Sequence, residues 1–412
     1  MRPRAPRRHR SRPAMASISG PGQGLDTPAG AAQARSTGEG GAMHATFGVE
    51  EEFIFLDRES LRPADVAEGF TTRMQADPEW SATTHKEFLA SQVEHASPVF
   101  DSLAGARPVL VGFRRMVADE AERTGTLAAS IGTPPDTLAF PSITHDDRYQ
   151  RIVRDMAGLI ADHQMSGLHV HVGVPDREAG ILALNVARPW LPLLTAISGN
   201  SPFWRGYDTG YESWRTVQLR RWPTAGSPPR FADAKDYDRR IRRLLGIGGM
   251  SDLALIAWSV RLSEHLPTIE FRMADAQLTA DDTLLLAALC RGLVTHALET
   301  EGRDLESTDV PAELLSAAVM HSAHAGMRAQ VYDPVLGELA DARSVLDRLV
   351  ATIAPQLEAE DDLDVVAELV ARLTQLGTGA ARQRRAFVRG GIAALADLFE
   401  HSIAGRPTES AA

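Results

Sequence analysis

The sequence predicts an α+β fold: a largely antiparallel sheet assembled early in the chain, with helices packed against it. Two observations carry that expectation. Four short stretches, residues 46–57, 91–95, 167–174 and 268–273, alternate polar and apolar side chains with the period of two that marks a half-buried strand. Beyond Ala280 the pattern changes to Leu, Ala and Val stripes at helical spacing. With 412 residues, 44% of them hydrophobic, the chain is long enough to bury a large core between the two kinds of element.

The first 42 residues differ from the rest. Seven arginines against Asp26 and Glu39 give them a charge of +5, leaving −16 on the remainder. Their Arg, Pro, Gly and Ser bias predicts a disordered basic tail over 1–42, because such a composition buries too little apolar surface to offset chain entropy. A second short tail is expected over 406–412, with one catalytic domain from 43 to 405. No apolar stretch follows Arg7 and Arg8 before Gly20, which argues against a twin-arginine export signal.

Within the domain, 46–57 is the first strand, 62–76 a connecting helix or loop, and 80–95 a return to extended chain. Val109, Phe113, Val117 and Ala121 recur at helical spacing, so a long amphipathic helix is expected over 103–131, stopped by Thr133, Pro134, Pro135 and Asp136. Helices over 148–163 and 177–197 flank the third strand. Residues 198–231 follow no period and hold Trp204, Trp214 and Trp222 with Arg205, Arg215, Arg220 and Arg221 interleaved, a composition suited either to a binding loop that clamps carboxylates or phosphates or to a packed loop with surface ion pairs. Helices are expected over 284–298, 314–325, 335–353, 365–376 and 382–403.

Composition narrows the function. A net charge of −11 argues against nucleic acid as a partner, since a phosphate backbone selects basic faces. No run of about 18 apolar residues predicts a membrane span. The single cysteine, Cys290, excludes an internal disulfide and sits in an apolar helical stretch, so it is expected in the core of a cytoplasmic enzyme.

The chemistry lies in the stripes. Alternation puts Glu50 with Glu52, Gln92 with Glu94, His169 with His171, and Glu270 with Arg272, each pair on one strand face. Four such stripes imply one shared polar surface converging on bound cations. Adjacent carboxylates resist joint ionisation without a cation, and magnesium suits an oxygen-rich site that presents phosphate. Taken alone, Glu50 to Glu52 would be a solvated acidic patch, but Phe47, Val49, Phe53 and Phe55 bury the strand. Glu51 then falls on the apolar side. His169-Val170-His171 is a common metal-binding layout, and Glu270 with Arg272 offers a cation ligand and an anion clamp, or a structural ion pair. No Walker-type loop and no Gly-x-Gly-x-x-Gly after a strand is present. Nucleotide, if bound, is held by metals and side chains. Three readings stay open on these residues: a ligase, a metal-dependent hydrolase built on the His-x-His strand, and a non-catalytic nucleotide-binding protein.

Taken together, Phe-Gly-Val-Glu-Glu-Glu-Phe (47–53), Gln-Val-Glu (92–94), Gly-Leu-His-Val-His-Val-Gly (167–173), the 200–215 segment, Arg-Arg-Trp-Pro-Thr-Ala-Gly (220–226) and Thr-Ile-Glu-Phe-Arg-Met-Ala-Asp (268–275) resemble the carboxylate–amine ligases of the glutamate–cysteine ligase type 2 family. The resemblance runs from about residue 46 to 385. It implies a glutamine-synthetase-like catalytic sheet curved around ATP and Mg2+, with metal-ligand positions at Glu50, Glu52, Glu94, His169 and Glu270. Arg272 and Arg215 fall at anion-contacting positions for substrate or nucleotide, and His171 at a supporting position. The implied reaction phosphorylates a carboxylate, such as the γ-carboxylate of glutamate, and joins it to an amine such as cysteine. The implied partners are these small molecules, with a homodimer as the expected assembly.

Overall fold

The computed structural model describes residues 34–36, 43–248, 253–302 and 310–406. The predicted tails fall outside them, apart from a three-residue strand at Ala34–Ser36 and the residue Arg406. In chain order the strands are β1 (Ala34–Ser36), β2 (Met43–Ala45), β3 (Phe47–Leu56), β4 (Thr84–Lys86), β5 (Gln92–Ala96), β6 (Leu127–Ala129), β7 (Gly167–Gly173), β8 (Phe203–Trp204), β9 (Tyr207–Asp208), β10 (Val260–Leu262), β11 (Thr268–Asp275), β12 (Gln330–Asp333) and β13 (Glu338–Asp341). The helices are α1 (Ala67–Ala76), α2 (Leu103–Thr124), α3 (Asp147–Met156), α4 (Arg177–Ala187), α5 (Leu191–Ile197), α6 (Trp214–Leu219), α7 (Ala234–Gly246), α8 (Ala280–Glu299), α9 (Ala312–Ala325), α10 (Ala342–Ala359), α11 (Leu363–Leu376) and α12 (Gly379–Ile403).

The predicted class holds: the fold is α+β around an open, antiparallel sheet. Its order is β10-β11-β7-β3-β5-β4, and β6 pairs with the C-terminal end of β3. All four striped stretches are strands of this one sheet. β3 at its centre explains why: Phe47, Val49 and Phe53 are buried on one face while Gly48, Glu50 and Glu52 are half-buried on the other, so the pleat separates core from site residue by residue. Behind the apolar face lies α8, buried almost all round through Leu284, Leu286, Ala288, Leu289, Cys290 and Leu293. Cys290 is core, as expected, and burial pushes its thiol pKa upward. The α12 helix closes the far end, its Leu395 and Phe399 packing with Ile54 and Leu127.

Several expected helices are shorter than the periodicity suggests, each for an identifiable reason. The 103–131 helix ends at Thr124 because Gly125 turns left-handed at φ 67°, and Leu127–Ala129 joins the sheet instead. The 148–163 segment is α3 followed by a tighter 3-10 stretch over Ala157–Asp162. Pro189 and Pro192 divide 177–197 into α4, a 3-10 turn and α5. By composition Arg177–Ile197 has the length and mean hydropathy (1.4) of a membrane span, but 89% of that window is buried, which is the character of an interior helix. Val335 and Leu336 belong to the β12–β13 hairpin turn, where Asp333 accepts both their amide N–H groups, and α10 begins only at Ala342. The α12 helix is kinked at Gly390 and Gly391.

Candidate active site

The pairing register assembles the polar face. Glu52 lies directly opposite Glu94, which lies opposite His85. Glu50 faces His169, and Glu270 faces both His171 and Arg261. Directly opposed residues project to the same side of a sheet, so these strands place carboxylates and imidazoles in one continuous row.

Two groups of donors emerge from the row. Carboxylate oxygens of Glu52, Glu87 and Glu94 lie within 4.8 Å of one another, as do ligand atoms of Glu50, His171 and Glu270. In the first group, Glu52 also accepts the Gly167 amide N–H at 2.7 Å. Burial, then the charge on Glu87, pushes the Glu52 carboxyl up to about 8. Burial likewise raises Glu87, and burial with Glu50, Glu87 and Glu52 around it raises Glu94 well above the carboxylate range. In each of the three, burial and the like charge of the neighbouring carboxylates oppose ionisation. That all-oxygen donor set fits a hard divalent cation, whose charge would relieve the repulsion.

In the second group, burial works against ionisation, but the neighbouring groups win. Glu50 is held well below its ordinary value by His171 and by its hydrogen bonds with His169 and His171. Arg272 and Arg261 hold Glu270 low in the same way. Arg261 Nε donates to Glu270 Oε2 at 2.7 Å, and Arg272 pairs with Glu270 Oε1. His169 Nδ1 contacts Glu50 Oε2 at 2.6 Å and lies 3.8 Å from Glu270; burial and Arg272 lower its pKa to about 4, so it is a neutral imidazole. His171 Nε2 lies 3.2 Å from Glu50 Oε1 and its Nδ1 3.0 Å from Thr268 Oγ1; burial opposes its protonation but Glu50 raises its pKa.

The expected residues Glu50, Glu52, Glu94, His169 and Glu270 therefore share one face. The imidazole in the tight second group is His171, with His169 bonded to Glu50 beside it. Glu51 points the other way and is structural: fully buried, it ion-pairs with Arg114 at 2.5 Å and accepts the Thr283 hydroxyl at 2.6 Å.

Of Arg205, Arg215, Arg220 and Arg221, one reaches this face. Arg205 and Arg221 pair with Asp162 at 2.6 and 2.7 Å, and Arg220 bonds to the Ser316 hydroxyl at 2.9 Å. Arg215 is buried against the Gly167 backbone, so close that a side chain at 167 would place its Cβ 2.4 Å from a guanidinium nitrogen. Its hydrogen bonds to the Arg272 and Met273 carbonyls are long, 3.4 to 3.5 Å, and its Nε has no partner among the described residues. A buried guanidinium so poorly satisfied is suited to an anion.

Sequence reasoning missed Glu87, Arg261 and His85. Glu87 and His85 were legible as a further period-two pair at the end of β4, but that strand is too short to show alternation clearly. Arg261 has the same apolar–charged–apolar setting as the four stripes.

The family model described as Glutamate-cysteine ligase family 2 matches residues 46–401. The chain belongs to this family. A Frankia alni relative carrying the provisional name glutamate–cysteine ligase 2-2 is 42% identical over 359 residues, covering 84% of this chain and 93% of the relative. A similarly named protein of Saccharopolyspora erythraea is 39% identical, covering 84% and 89%. Among solved structures, the glutamate–cysteine ligase of Francisella tularensis in complex with AMP superposes with a TM-score of 0.65 at 12% identity, covering 89% of this chain and 90% of the other. A bifunctional glutathione synthetase from Pasteurella multocida gives 0.61 at 15%, over 88% of this chain and 52% of the other. At such identities these likenesses speak to the fold alone.

Proposed function

We propose that this glutamate–cysteine ligase family 2 member is an ATP-dependent carboxylate–amine ligase acting on small molecules, with residues 43–405 as one catalytic domain. The observation that carries the reading is the pair of cation-ready donor groups on one sheet face, with Arg215 and Arg272 beside them. The family membership and the names of the relatives support glutamate as the acid and cysteine as the amine, and the reacting group in this reading is the γ-carboxylate. The donor chemistry speaks against a metal-dependent hydrolase: the two groups offer five carboxylates and one imidazole, whereas a zinc hydrolase wants a nitrogen-rich set.

In the reaction, a carboxylate oxygen attacks the terminal phosphorus of ATP and ADP leaves; the amine nitrogen then attacks the acyl phosphate, phosphate departs and the amine loses a proton. Glu52, Glu87 and Glu94 would hold one Mg2+ and Glu50 with Glu270 and a histidine another. Magnesium so held supplies positive charge to the phosphoryl group in transfer. Arg272 and Arg215 orient anionic oxygens from either side. His169, neutral and bonded to Glu50, fixes the direction of that carboxylate. Wrapping the site in β3, β7 and β11 keeps these donors rigid, so little reorganisation is needed as charge moves.

The direct test is purified protein with ATP, Mg2+, glutamate and a panel of amines including cysteine. Amine-dependent release of ADP and phosphate supports the reading. Release independent of every amine, or ATP binding by calorimetry without turnover, defeats it.

A further inference from the structure

The face just described depends on a buried carboxylate that belongs to neither donor group. Asp275 ends β11 and is fully buried. Among the described residues, the hydrogen bonds of its carboxylate run to the irregular segment that carries Arg215. Its Oδ2 accepts the Asn200 amide N–H at 2.8 Å and the Ser201 hydroxyl at 2.7 Å, and its Oδ1 accepts the Ser213 hydroxyl at 2.8 Å. Because each hydroxyl has one proton and gives it to Asp275, each must turn a lone pair elsewhere. Ser201 Oγ accepts the Arg215 amide N–H at 3.0 Å, and Ser213 Oγ accepts the Thr216 amide N–H at 3.2 Å. Gly132 leaves the space for this arrangement, since a Cβ there would lie 2.5 Å from the Asp275 carboxyl carbon.

We infer that Asp275 is a positioning residue for Arg215: by accepting from Ser201 and Ser213 it orients both hydroxyls toward the first amides of α6, and so aims the Arg215 guanidinium at Gly167 and Glu52. The inference rests on the proposed role of Arg215 as an anion contact. It also sets Arg215 apart from Arg205, Arg220 and Arg221, because among the described hydrogen bonds of these four only the Arg215 amide N–H donates to an Asp275-bound hydroxyl. Two short serine side chains transmit the fixed position of a central strand to a segment with almost no regular structure. A carboxylate suits this task where an amide does not. Asp275→Asn keeps the shape but presents an NH2 group to one serine, which then loses its acceptor and with it the orientation of its lone pairs.

The test compares wild type, Asp275→Asn and Ser213→Ala by hydrogen exchange, and measures steady-state ligation in Asp275→Asn, Arg215→Ala and the double variant. Expected are faster exchange at the amides of 213–216 with β7 unchanged, and a fall of about tenfold in kcat/KM for the carboxylate substrate in Asp275→Asn. The double variant should be no slower than Arg215→Ala alone, since Asp275 acts through that side chain. Unchanged exchange at 213–216, or losses that multiply in the double variant, would overturn the inference. If Asp275→Asn does not fold, Ser213→Ala, paired with Arg215→Ala in the same way, decides by the same two readouts. Full activity in Arg215→Ala would overturn the anion-contact role of Arg215, while the exchange comparison still decides whether Asp275 sets the segment.

Discussion

Three consecutive glutamates, Glu50, Glu51 and Glu52, should respond to mutation in two opposite ways, because the β3 pleat sends the middle one into the core. Glu51→Ala removes the counter-charge of Arg114, whose guanidinium is buried and otherwise bonded to the Gln277 and Leu278 carbonyls at 2.9 Å. It also strips the Thr283 hydroxyl of its acceptor. Leaving a buried charge unpaired costs about 3–5 kcal/mol. With an unfolding entropy of ~0.7 kcal/mol/K for a domain of this size, that lowers Tm by about 4–7 °C. Glu50→Gln leaves the apolar core untouched and keeps a hydrogen-bond acceptor beside His169, so it should lower Tm by less than Glu51→Ala does. Its ligation rate should fall by about 100-fold or more, since a neutral amide replaces a cation-binding carboxylate. Differential scanning fluorimetry with an ADP-release assay on both variants checks the contrast. A stable but inactive Glu51→Ala together with an unstable but active Glu50→Gln would mean that the strand faces are reversed by one residue, and the site description would fall with them.

Three further outcomes follow from the geometry. Gly167→Ala should displace the Arg215 guanidinium, which a Cβ would approach to 2.4 Å, and reduce kcat/KM by about tenfold or more while far-UV circular dichroism stays unchanged. Glu87→Gln should raise the Mg2+ concentration needed for half-maximal activity by about tenfold, read from a metal titration at fixed ATP. Asp282 caps α8 and pairs with Arg382 of α12 at 2.6 Å; burial pushes its carboxyl up, but Arg382 and Thr279 hold it below its ordinary value. Its folded pKa is thus lower than its unfolded one, so its stabilisation is present above about pH 4 and is lost as pH falls further. Asp282→Asn should therefore cost stability in denaturant titrations at pH 7, with the difference from wild type shrinking below pH 4.

Much of this site was legible because strands encode facing in a period of two. Glu50, Glu52, Glu94, His169, Glu270 and Arg272 all lie in segments long enough for that period to appear, and each was placed on the polar face without knowledge of pairing. What the sequence withheld was register. Only the pairing of Glu52 with Glu94, and of Glu270 with His171, divides the donors into two groups and brings His171 into one of them. Glu87 was hidden because β4 is three residues long. In the 198–231 segment Arg205, Arg215, Arg220 and Arg221 stood equal, and the choice of Arg215 depends on Asp275, 60 positions later in the chain and linked to the Arg215 amide through the Ser201 hydroxyl. The helices were legible in type but not in limits: Gly125, Pro189 and the Asp333 turn each mark a boundary that apolar spacing alone ran through.

The central claim is that two groups of side chains on one sheet face bind the cations that present ATP to a carboxylate. A crystal structure of the protein with Mg2+ and a non-hydrolysable ATP analogue tests it most directly. One ion should be held by Glu52, Glu87 and Glu94 and a second by Glu50 and Glu270, with the analogue's terminal phosphate between them within reach of Arg272 or Arg215. Phosphates bound away from this face, or ions that leave these carboxylates uncoordinated, would contradict it.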